Sequence, residues 1–336
     1  MSAATPSACD AHPVDAWQHS LANVVRNVDT LLGMLGLEAA AVDAVAAAST
    51  GFALRVPREY VARMRHGDPH DPLLAQVLPR GAERVATAGF VTDPLAETDA
   101  EDGVLHKYHG RMLLVTTGAC AVHCRYCFRR HFPYAEQQAL RGEWHAALAA
   151  VAADHDVREL IISGGDPLTL SDRRLGTLLD GLAGIDHLRR LRIHTRLPVV
   201  IPSRLTDALL ARINATGRPW TLVIHANHAQ EIDASVRAAL ARARAAGAVL
   251  LNQAVLLRGV NDTVAAQAAL CEALGDAGVV PYYLHLLDPV AGAAHFATDE
   301  ADALALMRAL RARLPGWLVP RLAREIPGEP AKTVLA

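Results

Sequence analysis

The chain has 336 residues, of which 51% are hydrophobic, and its formal net charge is −2 with basic and acidic residues nearly balanced. This length accommodates a catalytic barrel of roughly 200–250 residues plus an added segment. The balanced charge argues against a nucleic-acid-binding protein that relies on bulk electrostatic attraction. No apolar run approaches the roughly 18 residues of a membrane span, and no signal-peptide pattern opens the chain. We therefore expect a cytoplasmic protein without membrane contact.

Residues 1–105 are predicted to form a helical N-terminal cap, because apolar residues recur at helical spacing and turn-rich stretches follow. From Arg111 onward, six short apolar runs alternate with longer segments of helical periodicity. The runs begin at Arg111, Glu159, Leu191, Thr221, Val249 and Pro281. Six strand–helix units in a row predict a parallel sheet with right-handed crossovers.

The predicted fold class is α/β, with an open, partial (βα)6 TIM-like barrel over residues 106–317. Six units are too few for the closed eight-unit barrel. A doubly wound sheet is the alternative, because the sequence does not fix strand order. Residues 318–336 are predicted to form a short C-terminal tail containing one more extended piece. In both architectures, ligands bind at the carboxyl ends of the strands.

Three of the five cysteines, Cys120, Cys124 and Cys127, lie within eight residues directly after the first predicted strand of the barrel. A clustered, odd number of cysteines in a cytoplasmic chain indicates metal or redox chemistry rather than disulfides. Iron–sulfur clusters are usually held by four cysteine thiolates. Three thiolates would leave one iron of a [4Fe–4S] cluster open to a small molecule. We interpret Cys9 as a surface thiol and Cys271 as a core residue.

The alternative for this cysteine segment is a structural zinc site, completed by His123 or His131, in a zinc-stabilised binding module without catalysis. Structural zinc sites more often combine two C-x2-C pairs or add two closely spaced histidines. The segment has no second C-x2-C pair, which favours the iron–sulfur cluster.

The spacing C-x3-C-x2-C after the first strand of a partial barrel resembles the radical S-adenosylmethionine (SAM) superfamily. The resemblance implies a [4Fe–4S] cluster whose open iron chelates SAM, which is cleaved to a 5′-deoxyadenosyl radical. A second match is SGGD at the end of the second strand, where the superfamily has a glycine-rich turn that contacts SAM. This match implies a SAM-binding role for Ser163, Gly164, Gly165 and Asp166. The two glycines would let backbone groups approach the ligand closely.

Longer segments resemble the lysine 2,3-aminomutase family over most of residues 105–336. They are HKYHGRMLLVTTGACAVHCRYCFRR, SGGDPL, NQAVLLRGVND, YYLHLLDPVAGAAHF and EIPGEPAK. The resemblance implies an isomerase that converts L-α-lysine to (R)-β-lysine by a 1,2-amino shift, with pyridoxal 5′-phosphate (PLP) as second cofactor.

Within this family, the chain looks most like the short branch that supplies (R)-β-lysine for the modification of elongation factor P. FALRVPREYVARM, HDPLLAQVLP and the chain end four residues after Lys332 fit that branch. The implied partners are the substrate L-lysine, a reducing electron donor such as flavodoxin or ferredoxin, and, functionally, elongation factor P and its ligase. A catabolic or osmolyte-producing lysine 2,3-aminomutase is the alternative.

The resemblance also implies the roles of individual residues. Lys332 takes the place of the lysine that carries PLP and is therefore the expected catalytic residue, although PGEPA replaces the family's run of glycines before it. Arg129 matches the arginine that binds the substrate α-carboxylate, a task suited to a bidentate guanidinium. Asp262 and Glu325 match the two acids that receive the substrate ε-ammonium, with glutamate replacing an aspartate of the catabolic enzymes.

Lys107, Tyr108 and Arg111 stand where the family gathers groups for the PLP phosphate, and cations and a phenol are suitable phosphate partners. His225 and Gln253, near the fourth and fifth predicted strands of the barrel, either face the cofactors or have a buried structural role.

Overall fold

The computed structural model describes residues 16–46, 50–97, 103–134 and 144–336, except for the side chain of Lys107. Its main feature is a nine-stranded sheet in which spatial order follows chain order. The strands are β1 (Val104–Tyr108), β2 (Arg111–Val115), β3 (Glu159–Ser163), β4 (Arg190–Thr195), β5 (Trp220–Ile224), β6 (Val249–Val255), β7 (Val280–His285), β8 (Arg321–Arg324) and β9 (Thr333–Val334). Strands β2 to β8 are parallel, and β1 and β9 pair antiparallel at the two edges.

This strand order confirms the predicted α/β fold with a partial barrel. A doubly wound sheet reverses its winding partway through, so that alternative is wrong. Each of the six strands β2 to β7 is followed by a helix, as predicted, and the extended piece after Trp317 adds β8 as a seventh parallel strand. Tyr108 at the end of β1 is hydrogen-bonded to Glu325, which follows β8. The two edges of the sheet therefore approach each other, as they do in a barrel.

Helices connect successive parallel strands. Before the sheet come α1 (Ala16–Ala22), α2 (Val28–Leu35), α3 (Arg58–Val61) and α4 (Pro72–Ala75); the others are α5 (His145–Ala153), α6 (Asp172–Ala183), α7 (Leu197–Val200), α8 (Asp207–Asn214), α9 (Ala234–Ala245), α10 (Val264–Asp276) and α11 (Glu300–Arg313). Six of them begin after a side chain that accepts a bond from a first-turn amide: Asn27, Asp71, Ser171, Thr206, Asp233 and Thr263. Each such cap contributes about 1 kcal/mol.

The strands divide their side chains between two faces, as β4 illustrates. Leu191 and Ile193 are buried in the hydrophobic core, whereas the alternate residues Arg192 and His194 are half-buried. Side chains alternate between the faces of a strand, so this second set faces the barrel interior. An interior lined by polar, half-buried side chains is suited to binding a ligand.

The N-terminal helices share one continuous hydrophobic core with the barrel. The long helical pattern from Trp17 to Leu37 forms two helices, because the Asn27 side chain caps α2 and Gly36, with φ 65°, ends it. The domain boundaries at residues 105 and 317 stay predictions. Cys9 lies outside the described residues, and Cys271 is buried in the core, as expected. Within the described ranges, no helix is both long and apolar enough to span a membrane.

Candidate functional site

The three predicted cluster ligands lie on the loop after β2, at the carboxyl end of the parallel strands. Cys120, Cys124 and Cys127 are half-buried free cysteines. The loop is attached to the N-terminal segment, since the Arg125 amide donates to the Gln76 carbonyl at 2.9 Å. The sheet and the N-terminal segment therefore both position this loop.

A buried ion cluster strengthens the attachment. The Arg125 guanidinium donates to the Glu83 carboxylate at 2.8 Å through Nε and to the Phe52 carbonyl at 2.9 Å. Arg130 donates to the same carboxylate at 2.8 Å. Glu83 thus binds two arginines of the cysteine loop. Removing one partner of a buried ion pair costs about 3–5 kcal/mol, so Glu83 is expected to be important for the position of the loop.

The glycine pair of SGGD packs directly against the cysteine loop. A Cβ on Gly164, whose φ is +131°, would lie 2.6 Å from the Thr117 carbonyl oxygen. A Cβ on Gly165 would lie 2.5 Å from that of Ala119. The Gly165 amide donates to the Thr117 carbonyl at 2.6 Å. The two glycines therefore allow the SGGD turn to pack closely against the backbone of residues 117–119, which leads into Cys120.

The other two residues of the turn bind within the protein. The buried Asp166 carboxylate accepts bonds from the Thr195 hydroxyl at 2.6 Å and from the Arg196 amide at 2.8 Å. The Ser163 carbonyl accepts from the Thr116 amide at 3.0 Å. These contacts tie the ends of β2, β3 and β4 together. The predicted contact of this turn with SAM stays a prediction.

The surroundings of the three sulfurs fit an anionic iron–sulfur cluster. Burial raises the pKa of Cys120 and that of Cys127, the latter to about 11, and the neighbouring sulfurs raise both further. Arg129 opposes this effect by lowering the pKa of both thiols. Arg196 donates to the Cys124 sulfur. Guanidinium groups thus lie where thiolates need positive charge, and iron binding requires deprotonated cysteines.

The histidines of the zinc alternative have other partners. His123 Nδ1 is 2.8 Å from the Ala53 carbonyl oxygen, and the ring stacks on Phe52 with centroids 4.9 Å apart. His131 Nε2 is 3.1 Å from the Ala291 carbonyl oxygen. In the part of the chain that the structure describes, no three His, Cys, Asp or Glu side chains are grouped around one potential metal-ion site. A [4Fe–4S] cluster spreads its cysteines over different irons, so it does not need such convergence.

The predicted carboxylate-binding residue, Arg129, forms a buried ion pair within the chain. Its guanidinium donates to both Glu97 oxygens, at 2.6 Å and 3.2 Å, and to the Gly164 carbonyl at 3.1 Å. Burial lowers the pKa of Arg129, but Glu97, Tyr134 and Cys127 together outweigh burial and raise it. The bidentate geometry is the one expected for a bound carboxylate. Glu97, 32 residues earlier, was not identified from the sequence.

Lys332 and Glu325 form an ion pair across the hairpin of β8 and β9. The hairpin pairs Arg324 with Thr333. The next residues towards the turn are Glu325 and Lys332, which therefore lie opposite each other although seven positions separate them in the sequence. Burial raises the pKa of Tyr108, and its hydrogen bond to Glu325 raises it further. Tyr108 therefore contacts the predicted ε-ammonium site.

The predicted phosphate ligands are grouped only in part. The Arg111 guanidinium lies over the Tyr108 ring, 5.0 Å from its centroid. The side chain of Lys107 lies outside the described residues. A phosphate-binding role for these three residues stays a prediction.

Neutral histidines line the interior between the cysteine loop and Lys332. Burial and then the Lys332 ammonium lower the pKa of His285 to about 3. Burial also lowers the pKa of His194, and Arg192, Lys332 and Arg129 lower it further. His194 thus lies within electrostatic range of both Arg129 and Lys332, which links the two halves of the predicted site.

His225 and Gln253, whose roles the sequence left open, differ in their contacts. His225 Nε2 is 3.1 Å from the Tyr126 hydroxyl, and the rings stack. Gln253 is half-buried on the interior face of β6, level with Tyr283 of β7. His225 is thereby attached to the cysteine loop, since Tyr126 lies between Cys124 and Cys127.

Asp262 differs in exposure from the other predicted substrate residues, which are buried or half-buried. It is exposed on the turn before α10, seven residues after β6 ends. Asp288 is better placed: it is half-buried, follows β7 by three residues, and β7 is the neighbour of β8. Its position directly after a predicted strand was the available sequence signal.

Comparison with known proteins identifies relatives over nearly the whole chain. A scan against protein-family models gives no match. The chain is 52% identical to "L-lysine 2,3-aminomutase" of Escherichia coli, over 95% of this chain and 94% of that protein. It is 44% identical to the protein of the same name from Haemophilus influenzae, over 95% of each. With that of Clostridium subterminale it shares 32% identity, over 94% of this chain and 77% of that protein. The chain therefore belongs to the L-lysine 2,3-aminomutase family, a family of isomerases.

Proposed function

We propose that the protein converts L-α-lysine to (R)-β-lysine by a 1,2-amino migration that depends on SAM and PLP. The observation that carries this proposal is that the cysteine loop follows β2 while Glu325, paired with Lys332, follows β8, so both lie at the carboxyl ends of strands of one parallel sheet. Arg129 lies two residues after Cys127. The cysteine loop and the C-terminal lysine therefore serve one barrel interior, although about 200 residues separate them in the chain.

The cysteine loop would hold a [4Fe–4S] cluster through Cys120, Cys124 and Cys127. Bound at the open iron, SAM would supply the hydrogen-abstracting radical. The chain contributes guanidinium groups beside the sulfurs, and the contact of Gly165 with Ala119 that fixes the loop. The SGGD turn is the proposed contact for the methionine part of SAM.

The Lys332 region would hold PLP. When bound, PLP supplies an imine link to the migrating nitrogen and delocalises the radical. The residues present fit such a group: Lys332 is half-buried next to β9, Tyr108 lies on the edge strand β1, and Arg111 lies on its neighbour β2. The neutral state of His285, whose pKa is about 3, avoids a second positive charge beside the lysine that must react as an amine.

The two ends of the substrate would be recognised by opposite charges. Arg129 would bind the α-carboxylate through its two parallel N–H donors. Glu325 would bind the ε-ammonium together with a second acid. Asp288 is the candidate for this second acid from its position after β7, and Asp262 is the candidate expected from the sequence. A carboxylate pair selects a long cationic side chain, because burying an ammonium without a counter-charge is costly.

The proposal is tested with anaerobically purified, reconstituted protein. Incubation with L-lysine, SAM, PLP and dithionite should yield β-lysine, detected by mass spectrometry after derivatisation. Lys332→Ala should abolish β-lysine and the PLP absorbance, and Cys124→Ala should abolish 5′-deoxyadenosine formation. Formation of methionine and 5′-deoxyadenosine without β-lysine would contradict the substrate, and one zinc per chain without sulfide would contradict the cluster.

We further propose that the β-lysine serves the modification of elongation factor P. The resemblance of FALRVPREYVARM and HDPLLAQVLP to the branch of the family that serves this modification supports this proposal. Deletion of the gene in its host should remove the β-lysyl mass from elongation factor P. An unchanged mass of the factor together with a depleted pool of free β-lysine would favour the catabolic or osmolyte role.

A further inference from the structure

Arg196 joins the cysteine loop to three other parts of the chain. It follows β4 directly, and its amide is fixed by Asp166 of the SGGD turn at 2.8 Å. The side chain is buried. Its guanidinium has five hydrogen-bond acceptors, which are Cys124 Sγ, the Tyr126 and Tyr60 hydroxyls, the Gln76 amide oxygen and the Glu231 carboxylate.

The two terminal nitrogens of Arg196 face different groups. Nη2 donates to Glu231 at 3.0 Å and to Gln76 at 2.7 Å, so the buried positive charge has a carboxylate partner. Nη1 points the other way and lies 2.6 Å from the Cys124 sulfur. A planar, always charged guanidinium can make both contacts at once, which the single ammonium of a lysine does poorly. The ion pair with Glu231 therefore aims one N–H group at a proposed cluster ligand.

From this geometry we infer that Arg196 is a positioning residue that donates a hydrogen bond to the cluster sulfur of Cys124 and thereby raises the reduction potential of the [4Fe–4S] cluster. The reduction potentials of such clusters depend on net charge, hydrogen bonds to the sulfurs and solvent exposure. Reduction adds one negative charge to the cluster. A nearby cation and an N–H donor stabilise that charge, so the reduced form is favoured. The inference rests on the proposed cluster and concerns a residue that the SAM and substrate assignments do not use.

The opposite charges of Arg196 and Glu231 give the inference a sign that experiment can check. Removing the cation should make the cluster harder to reduce. Removing the carboxylate while Arg196 stays should make it easier to reduce, since an unbalanced positive charge then lies beside the sulfur. A merely structural role would lower cluster content or stability in both variants without shifting the potentials in opposite directions.

The test is a redox titration of reconstituted holoprotein, followed by electron paramagnetic resonance of the reduced cluster. Relative to wild type, Arg196→Gln should have a more negative midpoint potential and Glu231→Gln a more positive one. Arg204→Gln is the matched control, because Arg204 is also a buried arginine but donates to the Leu168 and Leu170 carbonyls and pairs with Asp172. It should leave the midpoint unchanged.

Equal midpoints for wild type, Arg196→Gln and Glu231→Gln at full iron and sulfide content would overturn the inference. Should Arg196→Gln take up too little cluster, Glu231→Gln decides, because it retains the Arg196 donor, and an unchanged or more negative midpoint there would also overturn it. Failure of the wild type to bind iron and sulfide would instead refute the proposed function.

Discussion

Replacing Gly165 with alanine tests whether the glycine pair positions the cysteine loop. The new Cβ would lie 2.5 Å from the Ala119 carbonyl oxygen and 2.9 Å from its carbonyl carbon, closer than the 3.0 Å that real Cβ atoms respect. Gly165 does not have the positive φ of Gly164, so the cost arises from this contact alone. Overpacking of this kind costs about 1–3 kcal/mol. The backbone that must yield belongs to the residue before Cys120.

Two measurements separate this effect from general destabilisation. The Gly165→Ala variant should lose a few degrees in Tm, at about 2–4 °C per kcal/mol, and should bind less iron and sulfide per chain after anaerobic reconstitution. Gly33→Ala is the matched control, since no atom lies within 4 Å of its added Cβ and alanine is favoured in a helix by about 1 kcal/mol. It should keep the full cluster. A Gly165→Ala protein with wild-type Tm and full iron content would refute the reasoning.

Three further predictions concern ionisable side chains. Because the folded pKa of His285 is about 3 and its unfolded pKa is about 6.5, the unfolded chain binds more protons between these values. The free energy of unfolding should therefore decrease as the pH is lowered through this range, by up to about 1.4 kcal/mol per pH unit. In urea unfolding from pH 8 to 5, the free energy of unfolding of His285→Gln should depend less steeply on pH than that of wild type. Asp288→Asn should lower kcat/KM for lysine by about 10- to 100-fold, as expected for a charge-assisted bond, and Asp262→Asn should leave it nearly unchanged; the reverse ranking would restore the expectation from the sequence. Glu97→Gln should destabilise the protein by about 3–5 kcal/mol, and L-lysine should raise its Tm more than it raises that of wild type, because the substrate carboxylate replaces the missing partner of Arg129; equal shifts would contradict this.

The fold could be predicted from the sequence because each strand of the barrel is a short apolar run followed by a helical pattern. The order of the strands in the sheet could not be predicted, because it depends on how the strand–helix units pack against each other and not on any one segment. Strand β1 was missed for a local reason: VLHKY has no clear alternation and becomes a strand by pairing with β2.

Site residues that lie in one short segment could be predicted from the sequence more readily than contacts between distant segments. The three cysteines and the Lys332–Glu325 pair are local, since a loop and a hairpin fix their geometry. The contact of Arg129 with Glu97 and that of Arg196 with Cys124 span 32 and 72 residues. Such contacts follow from the tertiary fold, so a single sequence gives no signal for them.

The ion pairs at Arg129 and Glu325 indicate how the proposed site would select its substrate. Arg129 is paired with the Glu97 carboxylate and Glu325 with the Lys332 ammonium, which have the same charges as the α-carboxylate and the ε-ammonium of free lysine. Binding lysine would therefore exchange these two internal ion pairs for two pairs with the substrate, and Glu97 and Lys332 would give up their present partners. Such an exchange yields little net free energy from charge alone. Selection among amino acids would therefore depend on whether the two charges of the substrate are as far apart as Arg129 and Glu325. A shorter diamino acid, such as ornithine, should then complete one exchange but not both, and a kcat/KM for ornithine equal to that for lysine would contradict this reasoning.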